Sequence, residues 1–538
     1  GRHHQPVHPQ LPAVIDRQAG FSGVGVQNRG DVVLGMPRCE KHGGNGQHLG
    51  DAFLAERFKT IPKDGAGKFQ VAVFHRHRGQ PRPQGVHHLG ELFNGQSVAT
   101  PVAADQNAKT LVAGFRVLFG QKVALLFQWF DDIGRIAMDS DRPVFFNAQA
   151  ADARRSGLVS PRPAELAELV QNWSGPRPLR LCGGGTTSRA AVADHWTLDL
   201  QTHFQRVEWQ PADQSVWIGA GCRMGDVLEV LLPHSRTVAA GLSGLPGLGY
   251  VLTGGMGPLS RQVGLAVDQV LEIHGVWGDG SPFALSRVDD AGSLEWRGLC
   301  GAAPFLGVVS ALRMATQPLL PLWVEQCVVS PDQLPELMLR AEASNASTSL
   351  QWHWERADAV QLLRIADAPW AGAQKIEGLH QLPPLRGSAP MPSRSHTEVV
   401  GLLGPAAAEL WRAVMPDLCR LLQHRPHPFC SLACQQLGAA TQQVAAEASS
   451  FVHRTAEWKP WITAAWTPGD APGQRRSLAW LEEVWQVLQS VCPGVHLAQF
   501  HDHLPFHHKE LEAAFGPWLP ELRKLKQRLD PAGTLPTL

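Results

Sequence analysis

The chain has 538 residues, too many for one compact core, so two or three domains are expected. Hydrophobic residues make up 44% and charged residues 18%, the texture of a folded globular protein rather than a disordered one. A net charge of +0 leaves no electrostatic footprint for nucleic acid or an anionic membrane, and no run reaches the roughly 18 apolar residues that a spanning helix needs.

The first stretch, 1–137, has its own texture. Histidine, glycine, glutamine and arginine are frequent, as in His75-Arg-His-Arg, and apolar periodicity is poor. Val71–Phe74 and Lys122–Phe127 read as short strands, but nothing in the pattern organises them into units. The histidines lack the i, i+4 spacing beside a third ligand that a metal helix shows, so no metal site is assigned. The segment is expected to be of doubtful structure. One reading makes it out-of-frame or opposite-strand translation, with the natural start near Met138.

The pattern becomes orderly after Ser156. Pro161 to Val170 places proline at a helix start and apolar residues at helical spacing. Leu179–Cys182, His195–Leu200 and Ser215–Ala220 read as strands, and Met224–Leu232 as a helix stopped by Pro233. Helix and strand alternating in this way predict an α+β domain. Further on, Leu350 to Glu355 alternates Trp352 and Trp354 with polar residues, the pattern of a half-buried strand rather than a substrate platform.

Three glycine clusters punctuate this region. Gly183-Gly184-Gly185 is followed by the hydroxyls of Thr186, Thr187 and Ser188. The second runs from Gly241 through Gly249, Gly254, Gly255 and Gly257 to Ser260 and Gly264. The third spans Gly301 to Ser310, with Gly307 and Val308. Phosphate binding needs several backbone N–H groups aimed at one point with no intruding Cβ, which is what clustered glycines allow. No lysine follows at Walker spacing and no strand–GxGxxG–helix fingerprint occurs, which argues against a triphosphate loop and a Rossmann site. Three loops joined to strands suit a long, extended ligand with a dinucleotide's shape.

These motifs, in this order, resemble the FAD-binding domain of the vanillyl-alcohol oxidase / p-cresol methylhydroxylase (PCMH-type) superfamily. Arg180 to Ser188 resembles the family's first pyrophosphate loop, Gly249 to Gly264 with Asp268–Leu271 its second flavin-contacting segment, and Gly301 to Ser310 its closing segment. Ala446 to Trp466, Ala479 to Trp485 and Phe515 to Pro531 resemble the berberine-bridge-enzyme-like branch. The resemblance implies an α+β fold: a two-subdomain FAD-binding domain over 150–320, a substrate domain over 321–490 with an antiparallel sheet covered by helices, and a segment, 491–538, that returns to the FAD-binding domain.

It also implies FAD as cofactor, with Gly183, Gly184, Gly185, Thr186, Thr187, Ser188, Gly249, Gly254, Gly255, Gly257, Ser260, Gly264, Gly307 and Val308 around it. Many relatives carry a flavin-linking histidine where this chain has Thr186, and some a linking cysteine in the stretch matching Gly241 to Gly247, which has none. Non-covalent FAD is therefore expected. Thr253, Ala302 and Ala303 replace glycines of the pattern, which is acceptable if φ is negative there. The family's active-site tyrosines have no counterpart, since the chain's one tyrosine is Tyr250.

The implied chemistry passes a hydride from a small alcohol, sugar or hydroxy acid to flavin N5 while a protein base takes a proton. By resemblance, the candidates are His453 and Arg454 on a late strand, and Gln499 and His501 near the ring. Each also reads as an ordinary structural polar group. Other readings are a non-catalytic FAD-binding protein, a 2-hydroxy-acid dehydrogenase using Arg454 as a carboxylate clamp, and an NADPH-dependent nucleotide-sugar reductase. The expected partners are a small-molecule substrate and an electron acceptor, oxygen or another. Nine scattered cysteines without a CxxC pair, and no basic-then-apolar leader pattern, point to a reducing compartment and a cytoplasmic location.

Overall fold

The computed structural model describes residues 25–27, 31–33, 57–60, 70–74, 87–88, 157–186, 195–239, 241–385, 395–497 and 499–538. The chain forms two compact units, Gly1–Lys122 and Val123–Leu538. In the first, β1 (Gly25–Gln27), β2 (Asp31–Val33), β3 (Arg57–Thr60), β4 (Gln70–Phe74) and β5 (His87–His88) pair in chain order as an antiparallel meander. The sequence pattern had shown no such organisation. Val71–Phe74 falls in β4, whereas Lys122–Phe127 lies outside the described residues.

The second unit opens with β6 (Gly157–Val159), the helix Leu166–Gln171, β7 (Arg180–Cys182) and β8 (Trp196–Asp199). These strands form a parallel sheet in the order β6-β8-β7. Parallel strands need a crossover, and the proline-led helix after β6 supplies it.

Next come β9 (Val207–Gln210), β10 (Ser215–Gly219), β11 (Arg236–Thr237), β12 (Val270–Trp277), β13 (Pro282–Ser286), β14 (Gly307–Ala315) and β15 (Gln317–Pro318). They build an antiparallel sheet, β13-β12-β14-β10-β9, and the pair β11-β15. Helix Met224–Leu231 buries Met224, Val227, Leu228 and Leu231, one stripe at helical spacing, and Pro233 ends it in a 3-10 turn.

The rest is dominated by one large sheet. Its strands are β16 (Leu322–Val329), β17 (Ser349–Arg356), β18 (Ala359–Ala366), β19 (Gln374–Ile376), β20 (His396–Leu403), β21 (Ser431–Gln436), β22 (Trp458–Trp466) and β23 (Gly494–His496). The order is β19-β16-β18-β17-β21-β22-β20-β23, antiparallel throughout. Helix Ala408–Gln423 turns Trp411, Met415, Leu418 and Leu422 inward, and Trp411 meets Trp352 edge-on at 5.8 Å.

Trp352 and Trp354 are completely buried, not half-buried as their alternation implied, because β17 is covered on both faces. Each such ring removes roughly 150–250 Å² from water, an upper-bound gain of about 4–6 kcal/mol at ~25 cal/mol/Å². After the helix Ala471–Leu488, β23 leads through 499–506 into helices His507–Phe515 and Leu519–Leu529. Among the described residues no helix is long and apolar enough to cross a membrane.

Candidate functional site

The glycine clusters converge on one cavity of about 350 Å³, within the ~300–1,000 Å³ range of small-molecule sites. Its walls include Gly183, Gly184, Gly185 and Thr186 after β7, Gly241 and Gly247–Gly249, and Gly307 at the start of β14. The first two loops lie face to face. A Cβ on Gly184 would sit 2.7 Å from the Gly247 nitrogen, and one on Gly247 2.6 Å from the Gly184 nitrogen. No side chain fits between them, so two stretches of bare backbone front the cavity, the surface that a diphosphate requires.

The third cluster works through a break. Helix Leu294–Leu306 is interrupted at Gly301, whose φ of 128° only glycine adopts readily and whose Cβ would lie 2.7 Å from the Phe451 nitrogen. Ala302, at φ −134°, and Thr253 and Ala303, absent from the positive-φ residues, keep the negative φ that their side chains need.

Other members of the glycine set stand behind the wall. Gly254 and Gly255 carbonyls accept from Val267 and Ala266 (2.9 and 2.8 Å), Ser260 Oγ accepts from the Gly257 N–H (2.9 Å), and Gly264 caps helix Ser260–Val263 at φ 88°. Strand alternation turns Gly307 and Val309 to the cavity and Val308 to the opposite face, leaving Val308 only its backbone to offer. Thr187 and Ser188 lie outside the described residues.

The opposite wall comes from the large sheet: Gln435, Lys459, Trp461 and His496, with Leu497 and Phe500 beyond them. None of the four side chains read as catalytic lines the cavity. His453 and Arg454 sit in the loop before β22, which begins only at Trp458. His453 Nε2 pairs with the Ala513 carbonyl at 2.7 Å, and burial pushes its pKa down. Arg454 forks onto Asp268 at 2.8 and 2.9 Å and also donates to Ser449 Oγ and the Phe451 carbonyl.

Gln499 Oε1 accepts from the Val399 N–H (3.0 Å), tying the closing segment to β20. His501 is fully buried, with Nδ1 2.8 Å from Glu510 and Nε2 3.4 Å from Glu398. A second joint runs from Arg261 to Glu457 at 2.5 Å, with Gln436 on the same carboxylate at 2.9 Å. Asp502 pairs with Arg180 at the root of the first glycine loop. The four side chains read as catalytic are thus taken up in structural contacts beside the cavity, and the polar side chains facing into it from the sheet are others.

The signal for those others lies in strand periodicity. Lys459 and Trp461 are two apart on β22, so they share a face, and Gln435 is the ladder partner of Lys459. Lys459 Nζ rests 4.6 Å from the Trp461 ring centre. Burial lowers the Lys459 pKa to about 8 and holds His496 well below its ordinary range. Tyr250 lies under the second loop, its hydroxyl given to the Met256 carbonyl, and burial pushes its pKa up.

Residues 162–286 match the family profile described as an FAD binding domain. The chain carries that domain, and its fold is that of the PCMH-type, berberine-bridge-like flavoproteins. Among curated relatives, an FAD-dependent monooxygenase from Arthrobotrys oligospora is 34% identical over 128 residues, 24% of this chain and 25% of the relative. An uncharacterized FAD-linked oxidoreductase from Bacillus subtilis is 22% identical over 344 residues, 57% of this chain and 73% of the relative. The chain therefore spans about a quarter of the first relative's length. Among solved structures, a chitooligosaccharide oxidase superposes with TM-score 0.63 at 16% identity, covering 74% of this chain and 95% of the other. BBE-like 1 of Physcomitrella patens gives 0.61 at 16%, covering 73% and 92%.

Proposed function

We propose that this protein is an FAD-dependent oxidoreductase that holds FAD without a covalent link and oxidises a small molecule. The observation that carries this is the cavity itself: three glycine-lined backbone segments on one side, polar sheet side chains on the other. The proposed organisation is an FAD-binding domain over 150–320, a substrate domain over 321–490 and a returning segment over 491–538. Thr186 stands at the cavity wall where a linking histidine would be needed, and its hydroxyl cannot serve as one.

When bound, FAD supplies the acceptor for a hydride from the substrate carbon. The chain's residues bind, orient and take the proton. His496 reaches the cavity uncharged near neutral pH, so its ring can accept a proton from a substrate hydroxyl. Lys459 and Gln435 provide donors beside it, and Trp461, Leu497 and Phe500 exclude water. In this reading His453, Arg454, Gln499 and His501 are positioning residues: Arg454 holds the loop before β22 to Asp268 of the FAD-binding half, His453 holds that loop to the closing segment, and Gln499 and His501 tie the closing segment to β20.

The test is the absorption spectrum of purified protein, followed by acid precipitation and anaerobic substrate addition. Flavin bands released into the supernatant, then bleaching by an alcohol, sugar or hydroxy acid, are expected. A folded protein that stays colourless with added FAD refutes the reading. Bleaching by none of these compounds marks a non-catalytic flavoprotein, and bleaching by NADPH alone marks a reductase.

A further inference from the structure

The sheet wall of the cavity is built of hydrogen-bond donors. Gln435 is 2% exposed, and its Nε2 has no hydrogen-bond partner among the described residues. His496 is 4% exposed, and neither ring nitrogen makes a hydrogen bond of proper geometry, although the Thr253 backbone is close enough to act on it. Lys459 has no carboxylate within ion-pair distance among the described residues, and its cation leans instead on the Trp461 ring. Among the described residues that line the cavity there is no aspartate or glutamate. Arg454, the other cation that could meet a ligand, is already neutralised by Asp268.

Ladder register explains the shape. Trp461, Gly401 and His496 lie in one row across β22, β20 and β23, and row neighbours share a face. Gly401 has no side chain, so His496 packs directly over it beside the Trp461 row. A Cβ there would sit 2.8 Å from the His496 carbonyl. A half-buried cation and a buried amide donor are costly unless something answers them. Among the described residues no carboxylate answers the lysine and no hydrogen bond answers the Gln435 amide, and the Thr253 backbone takes up at most one nitrogen of His496, which leaves the ligand.

We propose that this wall receives an anionic oxygen group of the substrate, a carboxylate or phenolate, with Lys459 Nζ as its counter-ion and Gln435 Nε2 and His496 as donors. The proposal rests on the oxidoreductase reading and adds the substrate class: small organic anions rather than neutral sugars or alcohols. An anionic oxygen could also come from the cofactor's diphosphate. The glycine loops supply the backbone N–H surface for that, and Lys459 stands on the sheet across from them.

The experiment titrates FAD-loaded protein with benzoate and with benzyl alcohol, following perturbation of the flavin bands, and measures FAD affinity separately. The native chain is expected to bind benzoate at least about tenfold more tightly than benzyl alcohol, ~1.4 kcal/mol. Lys459→Met is expected to erase the preference and Lys459→Arg to keep it, both with FAD affinity within about threefold of native. Equal binding of the two probes by the native chain overturns the proposal alone. So does loss of FAD affinity in Lys459→Met with the benzoate preference intact, which assigns the lysine to the diphosphate. Failure of a folded protein to take up FAD overturns the flavoprotein reading as well.

Discussion

Arg454 and Asp268 form a two-pronged ion pair, 2.8 and 2.9 Å, between the loop before β22 and the second glycine segment. It is nearly shielded from solvent, with side chains 5% and 10% exposed. A guanidinium held this way cannot also clamp a substrate carboxylate. Its work is to fix the large sheet against the FAD-binding half, so that the cavity between them has a defined width.

Breaking that pair should be costly. Asp268→Asn leaves a buried guanidinium without its counter-charge, and a loss of about 3–5 kcal/mol is expected. The double replacement Asp268→Leu with Arg454→Met should recover most of it, since no buried charge remains. Urea unfolding of the two variants measures the difference. Equal loss in both would show that packing, not charge, is what matters there.

The face-to-face glycines offer a second test. Gly184→Ala forces a methyl against the Gly247 backbone at 2.7 Å, and backbone cannot move aside as a flexible side chain would. FAD affinity is expected to fall by at least about tenfold, ~1.4 kcal/mol. Gly292→Ala, where nothing lies within 4 Å of the added carbon, should leave it unchanged. Equilibrium dialysis with FAD reads both.

His501 makes stability depend on pH. Burial opposes its charge, but Glu510 and Glu398 override this and raise its pKa to about 10. A value raised above the ordinary ~6.5 gives a contribution that is complete below ~6.5 and lost as pH climbs toward 10. Burial would raise Glu510 and Glu398, but the surrounding histidines hold both low, so their share is lost only in acid. Unfolding midpoints in urea should therefore fall between about pH 6 and pH 9. In His501→Gln that fall should shrink; an unchanged slope would exclude His501 as its source.

A chain beginning at Met138 should fold. The described core of the second unit draws its buried residues from Leu166 to Leu535. Circular dichroism and a thermal midpoint within a few degrees of the full chain are expected. Loss of cooperative unfolding on removing residues 1–137 would show that the first unit is needed.

Much of the FAD-binding half was legible from sequence because its demands are local. Pro161 to Val170, Leu179–Cys182, Ser215–Ala220 and Met224–Leu232 fall on observed elements, with ends shifted by a residue or a few. Glycine clusters are legible for the same reason: a backbone that must approach another backbone excludes Cβ wherever it occurs.

Tertiary structure decided what sequence spacing could not express. That Lys459 and His496 share a wall depends on β22 and β23 both flanking β20, an order no local pattern encodes. That Arg454 meets Asp268 across 186 positions, and His501 meets Glu398, depends on which chain segments the fold brings together. The sequence by itself marked the backbone cradle, because each glycine there records a Cβ that an approaching backbone excludes. Which side chains face the cradle, and which are consumed in bracing it, was settled only by long-range packing.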